Sequence, residues 1–317
     1  MLFEGNLEVL QNLRIKRDLL ARGDARHELF KTAIGVGGGA LLGTYGAGQL
    51  ASLSEHGHID TFDVALTAST GTPATLFFVS GQVNEARSVY WKECVTSRFL
   101  SLRRFIARAI PGNEHLFAMD IDYLADVFRG VNDRGLSLDT DAVRRARTVL
   151  YAAATSQHGE PALIDMRHAD DPVEVMKASI AIPGISRGNV KIGNELYFDG
   201  MGAVPFPPTQ LIEQFGSTDV LFLANCPKPQ GRGTPVPSGY LKDLPSGARK
   251  MFETYHERFT SELEALRART DCRWAIIWTD GLVDPFERDA KKLEEASHRA
   301  KEHLNHLLLQ SVVNLSV

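Results

Sequence analysis

A dense cluster of glycines between residues 35 and 48, with the sequence GVGGGALLGTYGAG, constrains the fold most strongly. The cluster follows a short apolar run at Ala33-Ile34 and precedes a helical pattern over Ala47–Glu55. Glycines end a strand and leave backbone N–H groups free to approach an anion at the start of the next helix. The sequence therefore predicts a strand, a glycine-rich turn and a helix. The turn would suit a bound phosphate or the transient oxyanion of an acyl transfer.

The same alternation of strand and helix continues along the chain. Asp63–Leu66 has the pattern of a strand, and Pro73 suits the first turn of the helix that follows it. Strands that alternate with helices favour a mostly parallel sheet with helices on both faces, so we expect an α/β fold. Further strand candidates are Thr148–Ala153, Ala162–Ile164, Val190–Ile192, Glu195–Phe198, Val220–Ala224 and Trp274–Trp278.

The chain length of 317 residues fits one large domain. Residues 1–30 are expected to form an N-terminal helical extension, because Leu7, Leu10 and Leu13 recur at helical spacing among charged residues. Residues 31–317 are expected to form the main domain. Within it, the segment 231–247 is rich in proline and glycine and predicts a surface loop, although the sequence does not decide whether this loop is a lid.

The charge and cysteine content exclude several classes of protein. The 35 basic and 39 acidic residues give a net charge of −4, which argues against a nucleic-acid partner. The three cysteines are widely spaced, which argues against a disulfide framework or a zinc site. The sequence shows neither a signal peptide nor a run approaching the roughly 18 apolar residues of a membrane span. We therefore expect a cytoplasmic protein, and the sequence leaves its oligomeric state open.

One interpretation of the glycine cluster is a dinucleotide site. Gly35, Gly37 and Ala40 fit the G-x-G-x-x-G/A pattern, in which glycines let the backbone approach a pyrophosphate. The acidic partner would have to be Asp60 or Asp63, which fits the usual spacing loosely. A P-loop is excluded because the chain has no G-K-[ST] sequence at this turn. The dinucleotide interpretation stays open as an alternative.

Two serines are candidates for a nucleophile. Ser186 lies in the literal G-x-S-x-G match at 184–188, but it follows a helical pattern and precedes a strand. Ser69 has the context that a nucleophile elbow requires, with a strand before it and a helix after it, although Thr67 replaces the first glycine. A serine needs a base. Since none of the ten histidines lies in a convincing context, the base could instead be a carboxylate.

Four segments in the right order resemble the patatin-like phospholipases. They are the glycine-rich loop 37–43, the elbow around Ser69, the stretch Ala178–Gly184 and the sequence Tyr-Phe-Asp-Gly ending at Gly200. The similarity extends from about Ile34 to Pro207. It implies a three-layer αβα patatin-like fold with a mostly parallel central sheet. It also implies an acyl hydrolase that cleaves lipid esters through an acyl-enzyme, without a metal or another cofactor.

The resemblance assigns roles to particular residues. Ser69 would be the nucleophile and Asp199 the general base of a dyad without histidine. The oxyanion donors would be two of the backbone N–H groups of Gly37, Gly38 and Gly39, and supporting roles would fall to Gly43, Gly71 and Gly200. The implied partner is a lipid or small acyl-ester substrate, which allows peripheral contact with a membrane.

The chain departs from the family pattern at three positions. Leu42 stands where the family usually has a basic residue, Thr67 replaces the first glycine of the elbow, and Met201 stands where Gly or Ala usually follows the Asp-Gly pair. These departures leave an alternative open, in which the chain is a catalytically degenerate module of the same fold that binds lipid or a protein partner.

Overall fold

The structure of the chain is a computed structural model. It describes residues 1–108, 110–113, 116–131, 136–186, 188–229, 241–242 and 244–313. The strands are β1 (Leu2–Gly5), β2 (Thr32–Val36), β3 (Val64–Thr67), β4 (Val149–Ser156), β5 (Pro161–Asp165), β6 (Val190–Ile192), β7 (Glu195–Asp199), β8 (Asp219–Pro227) and β9 (Arg273–Thr279).

The α-helices are α1 (Glu8–Ala21), α2 (Gly43–Glu55), α3 (Gly71–Val79), α4 (Val83–Ala86), α5 (Val89–Lys92), α6 (Leu102–Ala107), α7 (Ile121–Phe128), α8 (Thr140–Arg145), α9 (Pro172–Ser179), α10 (Pro207–Glu213), α11 (Ser246–Glu253), α12 (Tyr255–Ala268) and α13 (Ala290–Val313). Short 3₁₀ helices span Ala25–Leu29 and Ala40–Leu42.

The strands form one mixed sheet in the order β1-β9-β8-β2-β3-β4-β7-β6, and β5 also pairs with β4. The five strands from β9 to β4 in that order are parallel to their neighbours. The other pairings are antiparallel. The central strands are apolar over most of their length because both faces of the sheet are covered, as Val220–Ala224 of β8 illustrates. The prediction of a mostly parallel central sheet is confirmed for these five central strands.

Two hydrophobic clusters cover the two faces of the sheet. Successive residues of a strand point to opposite faces, so Ile34 joins one cluster and its neighbour Ala33 joins the other. Helices α1, α2, α3, α9 and α13 contribute to the first cluster, and α10 and α12 contribute to the second. These layers confirm the three-layer αβα fold.

The N-terminal 30 residues differ in part from the helical expectation. Leu2–Gly5 forms a strand that pairs antiparallel with β9, and α1 follows it. The side chain of Lys16, on α1, is buried and donates to Asp63 Oδ2 at 2.6 Å and to the Phe30 carbonyl at 2.8 Å. The first residues are therefore bonded to the sheet, and the division at residue 30 stays a prediction.

Two further features bear on the sequence-based expectations. The predicted surface loop at 231–247 falls largely on residues 231–240 and 243, which lie outside the described residues. Across the described ranges, no helix combines the length and the apolar character that a membrane crossing requires.

Candidate active site

Ser69 lies in a sharp turn between β3 and α3. Its φ of +52° is in the left-handed region, which residues with a side chain rarely adopt. The turn makes the strand lead into the helix over a few residues, as in a nucleophile elbow. The Ser69 N–H donates to Ser179 Oγ at 3.1 Å, which holds the strained backbone in place.

Asp199 lies at the end of β7, beside Ser69. Ser69 Oγ donates a hydrogen bond to Asp199 Oδ2 at 2.6 Å, although the two residues are 130 positions apart in the sequence. The other carboxylate oxygen, Oδ1, accepts the Met201 N–H at 2.9 Å. Both Ser69 and Asp199 are 3% exposed. The structure therefore brings the predicted nucleophile and the predicted base into direct contact.

Strand β4 lies between β3, which leads into the turn at Ser69, and β7, which ends at Asp199. Its Ala152 pairs with Thr67 of β3, and its Ala154 pairs with Asp199 of β7. The two pairings are two residues apart on the same strand, so the sheet register fixes the distance between the serine and the carboxylate.

The backbone of Asp199 is held by a threonine that the sequence analysis did not identify. Thr155 Oγ1 donates to the Asp199 carbonyl at 2.7 Å and accepts the Ala203 N–H at 2.9 Å. The Asp199 N–H donates to the Ala181 carbonyl at 3.0 Å. Thr155 lies between the four motifs that carry the family resemblance, so only the tertiary structure shows its role.

Burial raises the pKa of Asp199 from 3.8 to about 7, because the carboxylate has lost most of its hydration. The hydrogen bonds from Ser69 Oγ and the Met201 N–H oppose the rise because they stabilise the charged form. A carboxyl group with this pKa changes its protonation state near neutral pH. It can therefore act as a general base and as a general acid in one reaction cycle.

A chain of hydroxyl groups supports the turn and gives Thr67 a structural role. Thr67 Oγ1 lies 3.0 Å from Thr72 Oγ1, which lies 2.9 Å from Ser179 Oγ. Ser179 Oγ in turn accepts the N–H of Ser69. A glycine at position 67 would supply no hydroxyl. This departure from the family pattern therefore extends the chain of hydrogen bonds that ends at the Ser69 N–H.

The three glycines predicted as oxyanion donors differ in what their N–H groups contact. The Gly37 N–H donates to the Leu223 carbonyl at 2.9 Å, as part of the pairing with β8. The prediction of Gly37 as an oxyanion donor therefore needs correction, because this N–H is already used in the sheet. The Gly38 N–H donates to Met201 Sδ at 3.2 Å. Within the described residues, the Gly39 N–H has no hydrogen-bond partner.

Gly38 lies directly against Ser69. A Cβ atom at position 38 would lie 2.7 Å from Ser69 Cβ and 2.6 Å from Met201 Cγ, so only glycine fits here. Asn225 secures the loop from the other side, since its Nδ2 donates to the Gly37 carbonyl and its Oδ1 accepts the Gly46 N–H, both at 2.8 Å. The backbone N–H groups next to Ser69 are therefore held in fixed positions.

The glycines predicted as supporting residues lie at close contacts around the turn. A Cβ at Gly71 would lie 2.4 Å from the Val36 carbonyl oxygen, and one at Gly43 would lie 2.2 Å from Thr70 Oγ1. A Cβ at Gly200 would lie 2.2 Å from the carbonyl oxygen of Ala153. A side chain at Gly71, Gly43 or Gly200 would therefore collide with the backbone or side chain beside it and displace the serine turn, the glycine-rich loop or Asp199, respectively.

A small apolar cavity of about 30 Å³ opens beside Ser69. Its walls come from the turn, from α5 and from the segment after α9. The lining residues include Leu41, Pro73, Val89, Phe99, Met119 and Ile182. Its volume is about that of one water molecule, so the cavity as it stands marks an apolar side of the serine hydroxyl and is too small for an acyl chain.

The structure does not assemble the other candidate sites. Ser186 is buried and its Oγ donates to the Ile182 carbonyl at 3.1 Å. Asp63 lies just before β3 and accepts hydrogen bonds from Lys16 Nζ and the Thr32 N–H. Thr32 is the first residue of β2, so Asp63 lies at the end of β2 opposite the glycine loop. Among the residues that the structure describes, no group of three or more His, Cys, Asp or Glu side chains is placed to hold a metal ion.

Two solved structures are similar to the chain at low sequence identity. ExoU from Pseudomonas aeruginosa, solved in complex with SpcU, is 18% identical to the chain at a TM-score of 0.40, and the match covers 88% of this chain and 53% of ExoU. VipD from Legionella pneumophila is 11% identical at a TM-score of 0.33, with 90% and 77% covered. The chain thus spans about half the length of ExoU. No curated protein sequence matches the chain.

The family comparison covers the site itself. The model described as "Patatin-like phospholipase" matches residues 36–211, which include the glycine-rich loop, Ser69 and Asp199. The match spans more than half of the 317 residues. The chain belongs to the patatin-like phospholipase family.

Proposed function

We propose that the protein is a serine–aspartate acyl hydrolase that cleaves acyl esters of lipids. The observation that carries the proposal is the 2.6 Å hydrogen bond from Ser69 Oγ to Asp199 Oδ2 in a buried turn with a left-handed serine. A hydroxyl bonded to a base within this distance can lose its proton as it attacks a carbonyl carbon. The membership of the chain in the patatin-like phospholipase family supports a lipid substrate.

The proposed reaction has two halves. Asp199 takes the hydroxyl proton while Ser69 Oγ attacks the ester carbonyl, which forms a tetrahedral intermediate. The intermediate collapses, the proton passes from Asp199 to the departing alcohol, and an acyl-enzyme ester remains on Ser69. Asp199 then removes a proton from a water molecule that attacks this ester, and the carboxylic acid is released as Ser69 recovers its proton.

The negative charge that develops on the carbonyl oxygen requires hydrogen-bond donors. We assign this role to the N–H groups of Gly38, which lies against Ser69, and of Gly39, the next residue of the loop. Loss of one such donor costs about 10²- to 10³-fold in rate in comparable sites. The reaction uses groups of the chain and one water molecule, so the proposal includes no cofactor.

An exposed apolar surface near the cavity supports peripheral contact with a membrane. Leu102 and Ile106 on α6 are 61% and 62% exposed, and Phe286 is 44% exposed. A groove of about 370 Å³ separates α6 from Phe286. Leu100 lines this groove and pairs with Met119 in an isolated bridge, and Met119 lines the cavity beside Ser69. A lipid held at the groove would therefore lie next to the proposed catalytic cavity.

The charges around this surface favour an anionic lipid surface as the partner. Within the described ranges, the exposed Arg98, Arg103 and Arg288 form no ion pair. Asp284 and Asp289 lie near Phe286 in the sequence and keep their charge, so these three arginines stand against two carboxylates here. We include binding to anionic membrane surfaces in the proposed function.

Covalent labelling with a fluorophosphonate tests the hydrolase proposal. The wild-type protein should label and Ser69→Ala should not, whereas Ser186→Ala should label at the wild-type rate. Ser186 is a matched control because it is the other motif serine, and it lies in a loop after α9. Equal labelling of wild type and Ser69→Ala would refute the assignment of the nucleophile.

The second candidate is a non-catalytic module of the same fold that binds lipid. It is favoured by one observation, the contact of Met201 Sδ with the Gly38 N–H, which occupies a donor that catalysis needs. A wild-type protein that binds anionic vesicles but neither labels nor hydrolyses an ester would support this candidate against the hydrolase.

A further inference from the structure

We propose that Met201 gates the oxyanion site, with its thioether sulfur occupying the place of the oxyanion in the resting protein and leaving it when an ester binds. This role rests on the proposed hydrolase function. It adds a residue that the family pattern does not supply, since Gly or Ala usually stands at this position.

The sulfur is bonded to the N–H group that the reaction needs. The Gly38 N–H donates to Met201 Sδ at 3.2 Å, and the position of Gly38 against Ser69 puts this N–H beside the attacking hydroxyl. The carbonyl oxygen of an ester attacked by Ser69 would need the same donor. The thioether and the substrate oxygen therefore compete for one N–H group.

The anchoring of Met201 lets its side chain move while its backbone stays fixed. The Met201 N–H donates to Asp199 Oδ1 at 2.9 Å, and the next residues are held by Arg258, which donates to the carbonyls of Gly202 and Ala203. The methionine side chain is half-buried and unbranched, with three rotatable bonds. Rotation about these bonds would free the Gly38 N–H without disturbing the hydrogen bond to Asp199.

The chemistry of the two acceptors sets the direction of the exchange. A thioether sulfur is a weak, neutral acceptor. An oxygen that gains negative charge forms a charge-assisted hydrogen bond that is about twice as strong as a neutral one. The sulfur therefore satisfies the N–H group in the resting state and is displaced as charge develops. Without it, the donor would be left without a protein partner before the substrate arrives.

Substitution of Met201 tests the role by kinetics. Met201→Ala removes the competitor, so kcat/KM for a soluble short-chain ester should rise by about two- to tenfold, the range for one neutral hydrogen bond. Met201→Leu keeps a similar volume without the acceptor and should give a smaller rise. Met251→Ala, which removes the same side chain from the half-buried surface of α11, should leave kcat/KM unchanged.

A spectroscopic measurement separates gating from a purely structural role. In protein labelled with ¹³C at the methionine methyl groups, the Met201 signal is the one that Met201→Ala removes. Phosphonylation of Ser69 expels fluoride and places the polar phosphoryl oxygen of the neutral adduct in the oxyanion position, so the Met201 signal should shift while the Met251 signal stays in place.

The outcomes distinguish this inference from the proposed function. An unshifted Met201 signal after complete labelling, or slower hydrolysis by Met201→Ala, would overturn the gating role while leaving the hydrolase intact. Labelling of Met201→Ala together with an unreactive wild type would support a gate that is closed at rest. Failure of both proteins to label would overturn the hydrolase and the gate together.

Discussion

Replacement of Asp199 by asparagine separates the chemical role of this residue from its effect on stability. The substitution keeps the shape of the side chain. The amide oxygen can accept the Met201 N–H that Oδ1 accepts now, and the amide NH₂ can donate to Ser69 Oγ. Both side-chain partners of Asp199 therefore keep a hydrogen bond to position 199, so the variant should fold. It should not hydrolyse esters at any pH, because a carboxamide cannot take the serine proton.

The effect on stability follows from the pKa of the buried carboxyl. The pKa rises from 3.8 to about 7 on folding, so the native protein holds this proton to higher pH than the unfolded chain does. At pH values below about 4 the carboxyl group is protonated in both the folded and the unfolded state, so folding buries no charge at this position. Between pH 4 and 7 the unfolded chain ionises first, so the free energy of unfolding falls. A shift of about three units corresponds to up to about 4 kcal/mol.

Asp199→Asn removes this cost because the carboxamide stays neutral. The variant should therefore match the wild type near pH 4 and exceed its free energy of unfolding by up to about 4 kcal/mol at pH 8. Urea unfolding of both proteins at pH 4.5, 6, 7 and 8 measures the difference. A difference that does not change with pH would show that folding leaves the pKa of Asp199 unchanged, and a variant less stable than the wild type at pH 8 alone would show that the fold stabilises the carboxylate. Either result would refute the reasoning.

Three other predictions concern the site and its surroundings. For the wild type, kcat/KM on a soluble ester should rise about tenfold per pH unit up to about pH 7 and then level off, because the base must be ionised. A profile that is flat between pH 5 and 8 would contradict the raised pKa of Asp199. Ser179→Ala should lower the free energy of unfolding by about 1–3 kcal/mol and slow the labelling of Ser69, because the Ser69 N–H loses its acceptor. An unchanged urea unfolding curve and an unchanged labelling rate would exclude a supporting role for Ser179. Ile106→Asp should reduce sedimentation with anionic vesicles while leaving hydrolysis of a soluble ester unchanged. Leu29→Asp is the control, because Leu29 is 77% exposed and lies outside α6. Equal losses of vesicle binding in both variants would exclude α6 as the membrane contact.

The sequence predicts the parts of the fold that depend on local pattern. The strand before the glycine cluster, the turn at Ser69 and the hairpin of β6 and β7 each combine apolar runs with glycines at the turn, and the structure contains all three. Leu2–Gly5 could not be recognised as a strand, because its partner β9 lies at the other end of the chain. A pairing of this kind leaves no local signal in either segment.

The sequence also indicates that the motif residues lie close together, but it does not show which of their atoms form the hydrogen bonds of the site. Ser69 and Asp199 follow from the motifs, whereas Thr155 and Ser179 are ordinary hydroxyl residues until the sheet brings them under the site. The sequence could not show that the Gly37 N–H belongs to the sheet, because this depends on the pairing of β2 with β8. The substitution at Met201 was visible, but its contact with Gly38 was not.

The position of β4 between β3 and β7 has a consequence for how the protein loses activity. Since Ala152 and Ala154 of one strand align the two halves of the site, the serine and the carboxylate share a single support. Any opening that detaches β4 would separate them at once, and no partly opened form with β4 detached could retain the hydrogen bond. Activity would then decay together with the protection of the β4 amides from hydrogen exchange. The hydrolytic rate would report on the integrity of the whole sheet, even though the reaction itself takes place at one turn.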